Sequence, residues 1–247
     1  MSAYFPEPTR TRLFGEIEAD VFRLGDAADT VVMITTMPPG AAAPPHEHAE
    51  HQIGMCLSGS YRMRVGDEER RLDALRGAYW ARGGEIHGAV NESDVPAVTL
   101  DIKRRPQPAL EGRATPCPAE ARFLDLSAPR TVKGGLELRF FVGPWFEIML
   151  SVLEPGALMP RHAHRGAQIG IGLDGDYAME VGEETRRFTR HRVYFAPDHV
   201  PHMGLNDTDA PATSLNVFIP PRWNLLPRRL RESADAAGEM ELADAAR

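Results

Sequence analysis

Six of the nine histidines in this 247-residue chain recur in two sets, each with a glutamine at the same relative position. In both sets a His-x-His pair is followed four residues later by Gln, and a third histidine lies farther along the chain. In a β-strand, residues i and i+2 point to the same face, so this spacing directs two imidazoles and the amide into one space. Imidazole nitrogens and an amide oxygen suit a divalent metal. The predicted ligands are His46, His48, Gln52 and His87 in the first set, and His162, His164, Gln168 and His202 in the second.

These two sets belong to a longer internal repeat. Three separate motifs recur at an almost constant shift, which is not expected by chance. The matched ranges are 40–54 with 156–170 and 61–72 with 177–188, both shifted by 116, and 87–91 with 202–206, shifted by 115. The sequence therefore predicts a tandem duplication with one metal site in each copy.

The elements that must position these ligands read as β-strands. Short apolar or alternating segments are separated by turns, some of them Gly-acidic pairs such as Gly66-Asp67 and Gly182-Glu183. Many short strands of this kind are typical of an all-β sandwich or barrel. The predicted strands are 31–35, 52–57, 61–65, 68–72 and 98–102 in the first copy, and 146–152, 168–173, 177–181, 184–188 and 213–219 in the second.

Composition excludes several classes of protein. A formal charge of −7 argues against a nucleic-acid binder and gives no reason to expect a membrane partner. The two cysteines, Cys56 and Cys117, cannot form a disulfide scaffold. Because neither an apolar signal segment nor a run of about 18 apolar residues occurs, we expect a cytoplasmic location. Gly and Pro total 43 of 247 residues, an excess that suits many turns.

The repeat also predicts the domain boundaries. We expect an N-terminal barrel over 1–108, a Pro/Ala-rich connector over 109–127, a C-terminal barrel over 128–225 and a tail over 226–247.

The motifs resemble those of a known family. Gly-x5-His-x-His-x3-Gln-x6-Gly, at 40–59 and at 156–175, resembles the first signature of the cupins, in which Glu is commoner than Gln. The second signature is looser: residues 197–206 have His199 where Gly is usual, and residues 82–91 lack the Pro. The resemblance implies two jelly-roll barrels, a bicupin, with up to two divalent metals per chain (Fe, Co, Mn, Ni or Zn).

A closer resemblance covers nearly the whole chain except the tail. Stretches including Gln52-Ile-Gly-Met55, Leu100-Asp-Ile-Lys-Arg104, Trp145-Phe-Glu-Ile-Met-Leu150 and Phe218-Ile-Pro-Pro-Arg222 are similar to the bicupin isomerases of bacilysin biosynthesis. This implies an isomerase that shifts double bonds in dihydro-4-hydroxyphenylpyruvate, a small 2-oxo acid, in an antibiotic or secondary-metabolite pathway. The same eight residues carry over as metal ligands.

The residues permit this chemistry but leave other functions open. A divalent ion stabilises the enolate that forms when a 2-oxo acid loses its C3 proton, and neutral His3Gln ligands keep the full charge of the ion. Lys103 and Arg222 are candidates for binding the substrate carboxylate, and the aromatic residues of the barrels, Tyr61 and Tyr79 among them, for lining a ring-binding wall. The alternatives are a dioxygenase acting on a small aromatic or diketone substrate and a non-catalytic bicupin that binds a small molecule. The more regular second motif slightly favours the second copy as the reactive one, and exposed strand edges allow a homodimer.

Overall fold

The computed structural model describes residues 2–25, 29–107, 117, 120–132 and 136–222. The regular elements in these ranges are all β-strands, which confirms the predicted fold class. No helix in these ranges is long and apolar enough to cross a membrane. The predicted tail and most of the predicted connector lie outside the described residues.

The chain forms two compact units, and each includes a short segment that is distant in sequence. The first unit contains 7–107 together with 120–126, and the second contains 2–6 together with the described residues from 127 onward. Residues 120–126 join the first unit because Phe123 pairs with Tyr79 and the backbone of Trp80 donates to the Arg122 carbonyl at 3.0 Å. The predicted boundaries differ, since they assign 120–126 to the connector and 1–6 to the first barrel.

The first unit is built from two antiparallel sheets, the arrangement of a jelly roll. One sheet has the order β1-β2-β3-β10-β5-β8-β11 and the other β4-β9-β6-β7. The strands are β1 Thr9–Leu13, β2 Ile17–Leu24, β3 Thr30–Met37, β4 Ala42–His46, β5 His51–Ser58, β6 Ser60–Val65, β7 Glu68–Asp73, β8 Gly77–Ala81, β9 His87–Val90, β10 Ala97–Arg104 and β11 Phe123–Asp125.

The second unit repeats this plan. Its sheets have the orders β12-β13-β14-β21-β16-β19 and β15-β20-β17-β18. The strands are β12 Arg130–Val132, β13 Leu136–Val142, β14 Glu147–Leu153, β15 Leu158–His162, β16 Ala167–Asp174, β17 Asp176–Val181, β18 Glu184–Thr189, β19 Val193–Ala196, β20 His202–Leu205 and β21 Ala212–Ile219.

Side-chain alternation places an apolar core inside each unit. Along β6, Tyr61, Met63 and Val65 are buried, whereas Arg62 and Arg64 between them face outward. All ten predicted strands are confirmed, with shifts of one or two residues at their ends. The strands that were not predicted are mostly short or polar, such as β4 and β9, and these two carry metal-ligand candidates.

The asparagine at the end of each second motif, Asn91 or Asn206, stabilises a turn and, within the described ranges, makes no hydrogen bond to the metal-ligand candidates. The Asn91 side chain donates to the carbonyls of Met37 at 2.9 Å and Val95 at 2.8 Å, and it accepts from the backbone and hydroxyl of Ser93. Asn206 makes the same contacts in the second unit, with Leu153, Ala210 and Thr208.

We expect Asn91→Ala to destabilise the first unit by about 2 to 4 kcal/mol, because it leaves buried carbonyls without donors. Urea unfolding followed by fluorescence measures the change. Ser93→Ala, at a partly exposed position of the same turn, is the control and should cost about 1 kcal/mol or less. Equal effects of the two substitutions would contradict this role for Asn91.

Candidate metal centres

The three histidines of each predicted set lie together in the structure. In each set the candidate ligand nitrogens all lie within 4.8 Å of one another. The two groups are His46, His48 and His87 in the first unit, and His162, His164 and His202 in the second. In both units the first and third histidines are direct ladder partners, since His46 pairs with His87 and His162 with His202.

The prediction that the His-x-His pair shares a strand face is wrong. His46 ends β4, and His48 lies in the loop that precedes β5, which begins at His51. The β4–β9 ladder is also irregular between Ala43 and His46, where two prolines offer no N–H group to the pairing. The imidazoles meet because the chain turns at this point. His162 and His164 are placed in the same way.

A left-handed residue in the second motif supports the histidine loop of each unit. Gly84 has φ 78°, and its N–H donates to the carbonyl of His48 at 2.8 Å. His199 takes the same position in the second unit, with φ 59° and a 3.0 Å bond to the carbonyl of His164. Glycine adopts this conformation without strain, which explains why glycine is usual here, whereas His199 adopts the same conformation at a cost in backbone strain.

Backbone carbonyls orient the imidazoles of the first site. The Nδ1 atoms of His46, His48 and His87 lie 2.8, 3.0 and 2.8 Å from the carbonyls of the residues two positions away. Because a carbonyl oxygen only accepts, each Nδ1 carries the proton and each Nε2 presents a lone pair. This is the usual arrangement of metal-binding histidines.

The second site is oriented in the same way. The Nδ1 atoms of His162, His164 and His202 lie 2.7, 3.3 and 2.9 Å from carbonyl oxygens. Burial lowers the pKa of His202 to about 3, and in the first site it lowers that of His87 to about 4. These two rings are therefore neutral near pH 7, as ligands must be.

The glutamine of each site turns its oxygen toward the histidines. Gln52 Nε2 donates to Asp101 Oδ1 at 3.0 Å and to the Tyr79 hydroxyl, which in turn donates to Asp101. Since a carboxylate only accepts, these contacts fix the amide, and Gln52 Oε1 lies 2.9 Å from His48 Nε2. In the second site Gln168 donates to Tyr194 and to Asn216.

These atoms fit a bound cation. The amide oxygen and the facing imidazole nitrogens are all acceptors, and Gln168 Oε1 lies 3.0 Å from the Nε2 atoms of both His164 and His202. In the first site, the buried Nε2 of His87 has no hydrogen-bond partner among the described residues. Acceptors that converge without a donor are costly unless a positive charge lies between them.

The surroundings of the two sites differ at one matched ladder position. Lys103 on β10 pairs with Gln52, whereas Phe218 on β21 pairs with Gln168. Lys103 is partly buried and, among the described residues, makes no hydrogen bond or ion pair. Burial lowers its pKa, although Asp101 and Glu50 act in the opposite direction.

Arg222, the other predicted carboxylate-binding residue, is already paired. Its Nη2 lies 3.2 Å from Oε1 of the fully buried Glu147, and its backbone N–H donates to Oε2 of Glu147 at 2.8 Å. The guanidinium also lies 3.0 Å from the centre of the Phe218 ring, which in turn contacts His164. Arg222 therefore lies near the second site but is bound to a carboxylate of its own unit.

A cavity of about 190 Å³ adjoins the first site. His46, His87 and Gln52 line it together with Lys103 and Asp101, and most of its remaining surface is apolar. Phe14, in the turn between β1 and β2, also lines it; this side chain is 46% exposed, and its ring centre lies 5.1 Å from that of His46. The apolar lining residues are Leu13, Phe14, Ile17, Met33, Met37, Ala43, Met63 and Ala89.

Sequence reasoning did not identify Asp101 or Phe14. A carboxylate within the apolar strand segment Val98–Ile102 was a usable signal, because charged residues are rarely buried without a partner. No sequence signal distinguishes Phe14, because its place beside His46 depends on how the β1–β2 hairpin folds over the barrel.

We expect Tyr79→Phe to weaken metal binding at the first site by about 10- to 100-fold, because the Tyr79 hydroxyl accepts from the amide of Gln52 and donates to Asp101, which holds the same amide. Competition with a chelating dye measures the affinity. Tyr61→Phe, which removes a hydroxyl that contacts neither Gln52 nor Asp101 by a hydrogen bond, is the matched control. Unchanged metal affinity in Tyr79→Phe would contradict this orienting role.

Comparison with known proteins agrees with the duplicated plan. Residues 33–103 and 149–218 each match the family described as Cupin domain. The chain is 38% identical over 197 residues to a protein of Bacillus subtilis named H2HPP isomerase, covering 79% of this chain and 81% of that protein.

Solved structures show the same architecture. AerE from Microcystis aeruginosa superimposes with a TM-score of 0.79 at 28% identity, covering 88% of this chain and 99% of that one. An oxalate decarboxylase of Bacillus subtilis superimposes with a TM-score of 0.70 at 14% identity, covering 93% of this chain and 82% of that one. The second likeness is one of fold alone.

Proposed function

The chain belongs to the cupin family, and from this premise we propose that it is a metal-dependent isomerase that shifts double bonds in a cyclohexadienyl 2-oxo acid of the dihydro-4-hydroxyphenylpyruvate type. The observation that carries the proposal is the similarity to H2HPP isomerase over most of both chains. A place in a secondary-metabolite or antibiotic pathway is part of the proposal.

The proposed metal ligands are the three histidines and the glutamine of each unit. The converging acceptors support this assignment, as does the outward hydrogen bonding of the imidazoles and amides. A divalent cation held there supplies Lewis-acid polarisation of the 2-oxo group, which makes the neighbouring C3 proton more acidic. The metal is one of Fe, Co, Mn, Ni or Zn, all of which are compatible with imidazole and amide ligands.

We place the reaction in the first unit, contrary to the slight preference that the motifs gave to the second. Lys103 lines the same largely apolar cavity as His46 and His87 and makes no hydrogen bond or ion pair among the described residues, although Asp101 and Glu50 act on it from a longer distance. A carboxylate is the natural partner for such a group. Arg222 of the second unit already has Glu147.

The cavity suits a small ring compound. A cavity of roughly 150 Å³ holds one benzene molecule, so about 190 Å³ next to the metal ligands accommodates a six-membered ring with a short side chain. The three methionines in its wall provide a flexible apolar surface for a ring that is not flat. In this placement Lys103 holds the carboxylate and the apolar wall excludes water from the ring.

One assay separates this function from the other cupin activities. The metal-replete protein, mixed with the non-conjugated 2-oxo acid, should raise the near-ultraviolet absorbance as the diene becomes conjugated, while an oxygen electrode records no uptake. Stoichiometric oxygen uptake would indicate a dioxygenase instead. No absorbance change with metal-loaded protein would refute the proposal. Elemental analysis of the purified protein identifies the metal.

A further inference from the structure

The phenol of Tyr61 is an unpaired polar group inside the first-unit cavity. Tyr61 lines this cavity and is only 3% exposed, and its hydroxyl has no hydrogen-bond partner among the described residues. Buried hydroxyl groups are normally paired, so an exception requires an explanation. Burial raises the pKa of Tyr61, which keeps the hydroxyl protonated and able to donate.

The backbone of Tyr61 lies at a different strand position from the one that pairs with a metal ligand. On β6 it lies four residues from Val65, the ladder partner of His87. Four residues of strand span roughly 13 Å. Tyr61, Met63 and Val65 all face inward, so Tyr61 enters the cavity from a strand position four residues away from the one that pairs with His87.

We infer that the Tyr61 hydroxyl recognises an oxygen substituent on the substrate ring, remote from the 2-oxo acid group. The inference rests on the proposed function, because it takes the carboxylate to lie at Lys103 and the ring to lie in the apolar section beside Met63. In that placement the far edge of the ring faces the part of the wall that includes Tyr61. A ring hydroxyl or ring carbonyl then forms a hydrogen bond with the Tyr61 hydroxyl.

The second unit provides a matched control. Tyr177 occupies the equivalent position on β17 and is 1% exposed, and both tyrosines belong to the apolar core cluster of their unit and have a buried hydroxyl without a hydrogen-bond partner among the described residues. Tyr61→Phe and Tyr177→Phe are therefore the same chemical change in two similar barrels. Neither leaves a cavity, so both variants should fold, and removal of an unpaired buried hydroxyl should leave the thermal midpoint equal or higher.

The test compares two probes that differ only by a ring oxygen, 4-hydroxyphenylpyruvate and phenylpyruvate. Their dissociation constants are measured by calorimetry with the full-length, metal-loaded protein and with both variants. We expect the unsubstituted chain to bind the hydroxylated probe about 5- to 10-fold more tightly, as one hydrogen bond provides. Tyr61→Phe should reduce this ratio to about one, whereas Tyr177→Phe should preserve it.

The outcomes separate this inference from the proposed function. A preference that persists in Tyr61→Phe would overturn the inference, even if the protein shifts the double bonds. Loss of the preference only in Tyr177→Phe would also overturn it and would move recognition to the second unit. Loss in Tyr61→Phe alone would support it, even if no double-bond shift were detected. Failure of the protein to bind either probe would overturn the inference.

Discussion

Alanine at both His46 and His48 should reduce kcat/KM for the double-bond shift by about a thousandfold or more. The reason is that metal stabilisation of the transition state is worth several kcal/mol, and about 4 kcal/mol corresponds to this factor. Elemental analysis of the same protein should show the loss of one bound ion, while circular dichroism checks that the barrel is folded.

The matching substitution in the second unit, His162→Ala with His164→Ala, is the informative comparison. It should also remove one ion but reduce kcat/KM by less than about tenfold, because the cavity that Lys103 lines belongs to the first unit. The opposite order of the two losses would assign the reaction to the second unit. Equal losses would mean that neither unit acts alone.

Lys103→Met should reduce kcat/KM by about 10- to 100-fold, mainly through KM. A hydrogen bond to a charged group is worth about 1.5 to 3 kcal/mol, and methionine keeps the apolar stem while removing the ammonium. Steady-state kinetics measures the effect, and binding of phenylpyruvate should weaken in parallel because that probe has the same carboxylate.

Arg104→Met is the control for this substitution. Arg104 is the next residue of β10, and its guanidinium bonds to Gln107 at 2.7 Å rather than lining the cavity. Its replacement should change kcat/KM by less than about threefold. If Lys103→Met remained fully active while Arg222→Lys lost activity, the carboxylate would be bound in the second unit instead.

Much of the fold could be predicted because its determinants are local and occur twice. Alternating segments such as Tyr61–Val65 form strands through side-chain periodicity, and glycine turns set their ends. The segments that escaped prediction lack this signal. Residues 120–126 join the first unit through contacts with Tyr79 and Trp80, which lie about 40 residues earlier, and no local pattern encodes such a pairing.

The candidate site shows the same division. Residue type and repetition single out all eight ligand candidates, and the structure brings the six histidines into two groups. The expected alternation along one strand was wrong for His48, which lies in a loop and reaches its group from there. His46 and His48 still lie in one group, because two residues so close in the chain remain near each other in a strand or in a loop.

The sequence by itself determined the duplication, the all-β class and the identity of the ligand candidates, since each depends on residue types at short and repeated spacings. Only the tertiary structure decided which charges are already paired. Lys103 and Arg222 are equivalent candidates in the sequence, but Glu147 reaches Arg222 from another strand, whereas Lys103 lines a cavity. The lack of a hydrogen-bond partner for the Tyr61 hydroxyl, in the part of the chain that the structure describes, is likewise visible only in the tertiary structure. The burial and the pairing of a side chain depend on contacts with residues distant in the chain, and these contacts form only when the barrel closes.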